Sequence, residues 1–206
     1  MKTFSKRTLE KFKMHVLGGL TSIDIFKEMY DELFSDLRRA KSDAHLLGEQ
    51  FHRRMYLRTL MTYSEAMLFR LKQHLSDQRN HLKIELNQNE QLLLDEQTVE
   101  MTENGKLQRK GLTASHVKNI KFTFNFIARK LELSELPDFG GKGWKEYNRA
   151  IEKRNELTHP KFPKDLQITN DELQFIDAAE LWLDQELAKV MSGWASKSKL
   201  AHVIAK

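Results

Sequence analysis

The sequence predicts an all-α fold: a single-domain bundle of about five helices, the long ones antiparallel. Three observations predict it. Apolar residues recur three or four positions apart over long stretches, which puts them on one face of a helix. Glycine and proline, 9 and 3 in 206 residues, fall between those stretches. Hydrophobic residues at 40% and charged residues at 31% fit stripes buried against one another with charged faces outward.

The first helix runs from Ser22 to about Leu47, with Ile23, Phe26, Tyr30, Leu33, Phe34 and Leu37 on its stripe, Thr21 or Ser22 as cap and Gly48 as break. The second runs from Glu49 to about Leu86 with no Gly or Pro, carrying Leu57, Leu60, Met61, Ser64, Met67, Leu68, Leu71, Leu75 and Leu82. Met55, Met61 and Met67 read as core filler. Residues 87–111 mix acids, amides and two Gly, and read as a loop or a short hairpin.

A third helix fits Thr113, its cap, to about Leu133, with Val117, Ile120, Phe124, Ile127 and Leu131 aligned. The run Lys121-Phe-Thr-Phe-Asn-Phe also alternates like a strand, but the helical spacing extends further both ways. After the turn-rich Leu136–Gly143 comes a fourth helix from Trp144 to about Thr158, stopped at Pro160. Thr169-Asn-Asp-Glu172 is a capping-box pattern. It opens a fifth helix, with Leu173, Ile176, Ala179, Trp182, Leu183, Leu187 and Val190, that Gly193 ends. The divisions are a basic N-terminal segment (1–20), the bundle (21–191) and a basic tail (192–206).

With no Cys, the chain has no disulfide, thiol nucleophile or Cys-based metal site. No apolar run reaches a membrane span, and the basic start makes a poor signal peptide, so the expectation is a cytoplasmic protein without membrane contact. Net charge is +5, and its distribution says more than its size. Lys106 to Lys130 holds seven Lys or Arg and no acid, while Glu85 to Glu103 holds six acids and no Lys or Arg. Segregation of this kind fits a surface that faces a polyanion, although single charge runs are often only solvated faces.

Gly140-Gly-Lys-Gly143 lacks the spacing of a phosphate loop. His45/His52 and His74/His81 stand seven apart rather than four, so no metal site and no cofactor are expected. One cluster stands out: Arg154-Asn155-Glu156-Leu157-Thr158-His159-Pro160. On the fourth helix Trp144, Tyr147 and Ile151 define the apolar stripe, and Arg154 and Asn155 fall on it. A guanidinium on a core face is costly unless paired or given solvent, so Arg154 has a specific partner or lines a cleft. Glu65, on the second helix, is the candidate partner. Pro160 biases His159 out of helical geometry and frees its imidazole to swing off the helix end.

An Arg fork binds phosphodiester oxygens and stabilises charge developing on phosphorus. A His shuttles protons near neutral pH. An RNA 2′-hydroxyl is an internal nucleophile, so such a pair needs no metal to cleave RNA to a 2′,3′-cyclic phosphate and a 5′-hydroxyl. The second acid/base group would come from a two-fold partner copy. The plainer alternative is an Arg and a His that stitch two helix ends together, with Asn155 capping.

Arg154-Asn155 followed by His159-Pro160, late in an all-α chain and ahead of one last helix containing Leu-Trp-Leu, resembles the HEPN superfamily. The motif of that family is an Arg, often followed by Asn, with four to six residues before a His. The resemblance implies a helical bundle that dimerises with the motif at the dimer cleft. It implies a metal-independent endoribonuclease acting as a toxin or defence effector, with an antitoxin or defence-system partner. Arg154 would bind phosphate, His159 act as acid and base, and Asn155 orient the pair. Where some members carry a Tyr two residues after the His, this chain has Lys161. Other members keep the fold and only bind RNA or protein. In that alternative Lys118 and Lys121 beside Phe122 and Phe126, together with Lys161, supply phosphate and stacking contacts, although the Phe residues read first as core.

Overall fold

The computed structural model describes residues 18–204, with side chains from 24 to 198. The chain is helical in the main, with one two-stranded hairpin. The elements are α1 (Gly18–Leu46), α2 (Gln50–Gln78), α3 (Gln88–Leu94), β1 (Gln97–Met101), β2 (Leu107–Gly111), α4 (His116–Leu131), α5 (Lys142–Thr158), a 3-10 turn (Pro163–Leu166) and α6 (Asn170–Ile204). Most of the basic segment 1–20 lies outside the described residues; 18–20 already belong to α1. That helix therefore starts ahead of the expected Thr21 or Ser22 cap.

Two compact units divide the chain. One takes the described residues up to Asp31 with Arg70–Leu112; the other takes Glu32–Phe69 with the described residues from Thr113 on. In the first unit α2 stops at Gln78, short of Leu86. The stripe continues because Leu82 and Ile84 are still buried, but the backbone turns, with Lys83 in the left-handed region at φ 54°. Residues 87–111 prove to be a short helix followed by a hairpin. Asn87 and Glu90 form a capping box at the start of α3, with each side chain bonding the other's backbone N–H at 2.9 Å. β1 and β2 pair antiparallel, Val99 opposite Arg109, and Leu112 N–H donates to Glu96 O at 2.7 Å to close the base.

In the second unit α6 packs on α5 and α4. Trp182 is the centre of the contact, with ring centroids of Tyr147 at 4.9 Å, Trp144 at 5.0 Å and Phe124 at 6.2 Å. Burying such rings contributes on the order of 2–3 kcal/mol each. Gly143 is where α5 comes closest, since a Cβ there would stand 2.8 Å from Trp182 Cβ and Cδ1. The glycine serves packing, and the amides of Gly140 and Gly141 are taken by the Asp138 carboxylate at 3.0 and 2.8 Å.

α4 begins two residues later than Thr113 predicts. The cap is Ser115, whose hydroxyl accepts from Lys118 N–H at 3.4 Å. The Thr169/Glu172 capping box forms as expected, at 2.7 and 3.2 Å. Gly193 does not end the last helix, which continues to Ile204 with Trp194 buried. A Cβ at Gly193 would stand 1.9 Å from Leu133 Cδ2, so this glycine marks a helix passing close to its neighbour rather than a stop. Met61 and Met67 are core, while Met55 is exposed.

Candidate functional site

Arg154 lies on the last full turn of α5, on the line of Tyr147 and Ile151 that faces the interior. Its side chain is half-buried and donates from Nη2 to Glu65 Oε1 at 3.0 Å. Glu65 is on α2 and remains open to solvent on its other side. This answers the question a guanidinium poses on that face: the charge is paired at the edge of the core rather than sealed within it. Nε is buried without a partner, and Nη1 bonds no protein group among the described residues.

A third group meets the same carboxylate. His116, the first residue of α4, points Nδ1 at Glu65 Oε1 from 3.7 Å. Its Nε2 lies 2.8 Å from the Tyr147 hydroxyl and 3.3 Å from Ser64 Oγ, and those two hydroxyls are 2.5 Å apart. The carboxylate on one side assigns the proton to Nδ1, so Nε2 accepts from Tyr147 O–H and Ser64 donates to the Tyr147 oxygen. Burial pushes the His116 imidazole down to about 4, with the Arg154 charge adding to the shift. Burial also raises the Tyr147 phenol above its ordinary range. A neutral relay of Ser64, Tyr147 and His116 therefore lies behind the Glu65–Arg154 pair.

Sequence reasoning missed this relay. Ser64 and Tyr147 fall on apolar stripes, and nothing in the sequence marks His116. A signal was present: two hydroxyl-bearing residues at otherwise apolar positions must each find a hydrogen bond once buried.

His159 is the residue after α5. Its φ of −128° and ψ of 59° leave helical geometry, as Pro160 requires, while its N–H still donates to Asn155 O at 3.0 Å. The imidazole is exposed, and its ring makes no hydrogen bond or ion pair among the described residues. Asn155 departs from expectation. Its side chain is exposed and bonds nothing among the described residues, because the buried face of α5 centres on Tyr147 and Arg154 and leaves Asn155 outside its edge.

The three lysines differ. Lys118 is exposed on the first turn of α4. Lys121 lays its ammonium 5.1 Å from the Trp144 ring centre and 5.8 Å from that of Phe139. Phe122 and Phe126 stack on each other at 5.2 Å, and Phe126 is buried. Lys161 is exposed, with its N–H donating to Asp165 Oδ2 at 2.9 Å.

A second charged cluster in this unit is closed on itself. Lys41 reaches Glu180 at 2.8 Å and Asp177 at 3.5 Å, and the Tyr56 hydroxyl donates to both carboxylates. Among the described residues no three of His, Asp and Glu stand together so as to hold a metal ion, and no helix is long and apolar enough to cross a membrane. No family model, no curated protein and no solved structure matches the chain.

Proposed function

We propose that the chain is a metal-independent endoribonuclease of HEPN type, a toxin or defence effector working as a homodimer, with Arg154 and His159 as its reacting groups. The observation that carries the reading is the exposed imidazole of His159, which bonds no group among the described residues, at the proline-broken end of the helix whose Arg154 pairs with Glu65. A His that only stitched helix ends together would have a partner.

In this reading Arg154 Nη1 and its flank bind the nonbridging phosphate oxygens. One His159 takes the proton of the 2′-hydroxyl as O2′ attacks phosphorus. The P–O5′ bond breaks, and the His159 of the second copy protonates the leaving O5′. The products are a 2′,3′-cyclic phosphate and a 5′-hydroxyl. Charge gathering on the phosphorane oxygens is met by the guanidinium, whose own charge Glu65 orients without burying it.

The test is total RNA incubated with the protein in EDTA, with end-group analysis of the fragments. Cleavage that leaves cyclic phosphate ends, and that is lost in Arg154→Ala and in His159→Ala, supports the assignment. Cleavage that persists in both variants rejects it. Lys118, open on α4, supports the second reading, an RNA- or protein-binding module without turnover. That reading gives salt-sensitive RNA binding and intact RNA in the same tube.

A further inference from the structure

Three residues beyond His159 stands Phe162, with 59% of its surface open to solvent. A phenyl ring left in water forgoes the stabilisation that burial brings, and a loose loop would let it fold back onto the protein. This loop is not loose. Pro160 and Pro163 bracket it, and the Asp165 carboxylate accepts the N–H groups of both Lys161 and Phe162 at 2.9 Å. Behind the 3-10 turn, Arg54 Nη1 donates to Leu166 O at 3.0 Å and Arg53 Nη1 to Ile168 O at 2.8 Å. Gln50 and Ile168 exchange hydrogen bonds of 3.0 and 2.7 Å. The ring is therefore held outward by its backbone.

Its neighbours are cationic. Lys161 is exposed, and the Lys164 ammonium lies 5.6 Å from the ring centre. The Asp165 carboxylate is already taken up by the backbone amides of Lys161 and Phe162. An exposed π face with an ammonium beside it suits single-stranded nucleic acid, where the ring takes the base and the cation the adjoining phosphate. Three residues of chain keep the Phe162 Cα within about 11 Å of that of His159, the reach of a nucleotide or two.

We propose that Phe162, with Lys161 and Lys164, is a stacking platform for an unpaired base flanking the phosphate served by His159. The proposal rests on the ribonuclease reading for its location, and its test is kept separate from cleavage. The probe is a 2′-O-methyl single-stranded oligonucleotide carrying one 2-aminopurine, which the reaction cannot cut and whose fluorescence falls when the base is stacked. The full-length protein at low salt should quench it. Phe162→Ala should abolish the quenching and weaken binding about tenfold, and Phe162→Trp should restore both. The fully paired duplex should not be quenched.

An unquenched probe with the wild-type protein, or equal quenching by Phe162→Ala, overturns the platform. A Phe162 that seats a protein partner falls under that result. Quenching without cleavage of RNA in EDTA keeps the platform and removes the nuclease. Cleavage with an unchanged KM in Phe162→Ala keeps the nuclease and removes the platform.

Discussion

His116 and His159 belong to one compact unit and both stand at helix ends, yet they are opposite kinds of imidazole. His116 has only 7% of its side chain open, two hydroxyl neighbours and a folded pKa near 4. His159 is exposed, and no other side chain among the described residues binds it. A histidine that stays neutral through the physiological range can orient and be oriented, but it cannot hold a proton for return. Burial thus fits the two to different places in the proposed reaction, His116 as a positioning residue behind Glu65 and His159 as the proton carrier that the ribonuclease reading requires.

The largest effect that tests this contrast is on turnover. His159→Ala and Arg154→Ala should each lower kcat/KM on RNA by about 10²-fold or more, the usual size for loss of a general acid/base or a charge-stabilising group. His116→Gln, assayed below its melting temperature, should stay within several-fold of wild type, with the acidic limb of its pH profile unmoved. If His116→Gln shifts that limb and His159→Ala does not, the two roles are reversed.

Stability against pH comes next. Unfolded, His116 binds a proton near 6.5, and folded it does so only near 4. Between those values the unfolded state carries more protons, so stability falls as pH drops through the window and is fully present above it. The span corresponds to about 3 kcal/mol. His74, in the other unit, is likewise pushed down to about 4 by burial and adds a loss of the same sign. Asp184, raised to about 6 by burial with Glu180 adding, works the other way. Urea unfolding at pH 7 and pH 4.5 should therefore show a smaller acid loss in His116→Gln than in wild type. Equal losses in wild type and His116→Gln would remove His116 from the account.

Much of this was legible in the sequence because stripes and caps are local. The spacing of Leu60, Met67, Leu71 and Leu75 declares a buried helix face, and Thr169/Glu172 declares a helix start without reference to anything distant. What failed depended on distant partners. Gly193 reads as a stop until Leu133 is seen to occupy the place of its missing side chain. For the hairpin 97–111 the sequence leaves two readings open, because its strands are almost wholly exposed and no alternating apolar pattern chooses between hairpin and loop. The site divides the same way. Arg154 and His159 are legible because a charge on a stripe and a His before a Pro are local anomalies. His116 is not, since its meaning comes from Tyr147 and Ser64, which lie 31 and 52 positions away.

Glu65 joins the two regions, and its removal should have an intermediate effect. The Glu65–Arg154 pair is more than half exposed on the carboxylate side, so by itself it is worth under about 1 kcal/mol to the fold. Glu65→Gln should barely move the melting temperature. The guanidinium, released from its tether, should still bind phosphate but in a looser geometry, so kcat should fall about tenfold while KM changes little. A rise in KM at constant kcat would show that Glu65 serves binding rather than positioning.

The smallest effects separate the two lysines of α4. Lys118 has no aromatic or acidic partner among the described residues and is free to meet a phosphate. Lys121 is engaged over Trp144 and Phe139, an arrangement worth on the order of 0.5–1 kcal/mol near the surface. Lys118→Ala should therefore reduce the salt dependence of RNA binding by about one phosphate contact and leave thermal stability alone. Lys121→Ala should lower stability slightly and alter the salt slope less. The same rule that sorts the histidines governs here: a group already satisfied by the fold has little left to offer a ligand. If Lys121→Ala changes the slope as much as Lys118→Ala does, the ammonium leaves its rings for RNA, and engagement within the fold ceases to distinguish structural side chains from binding ones.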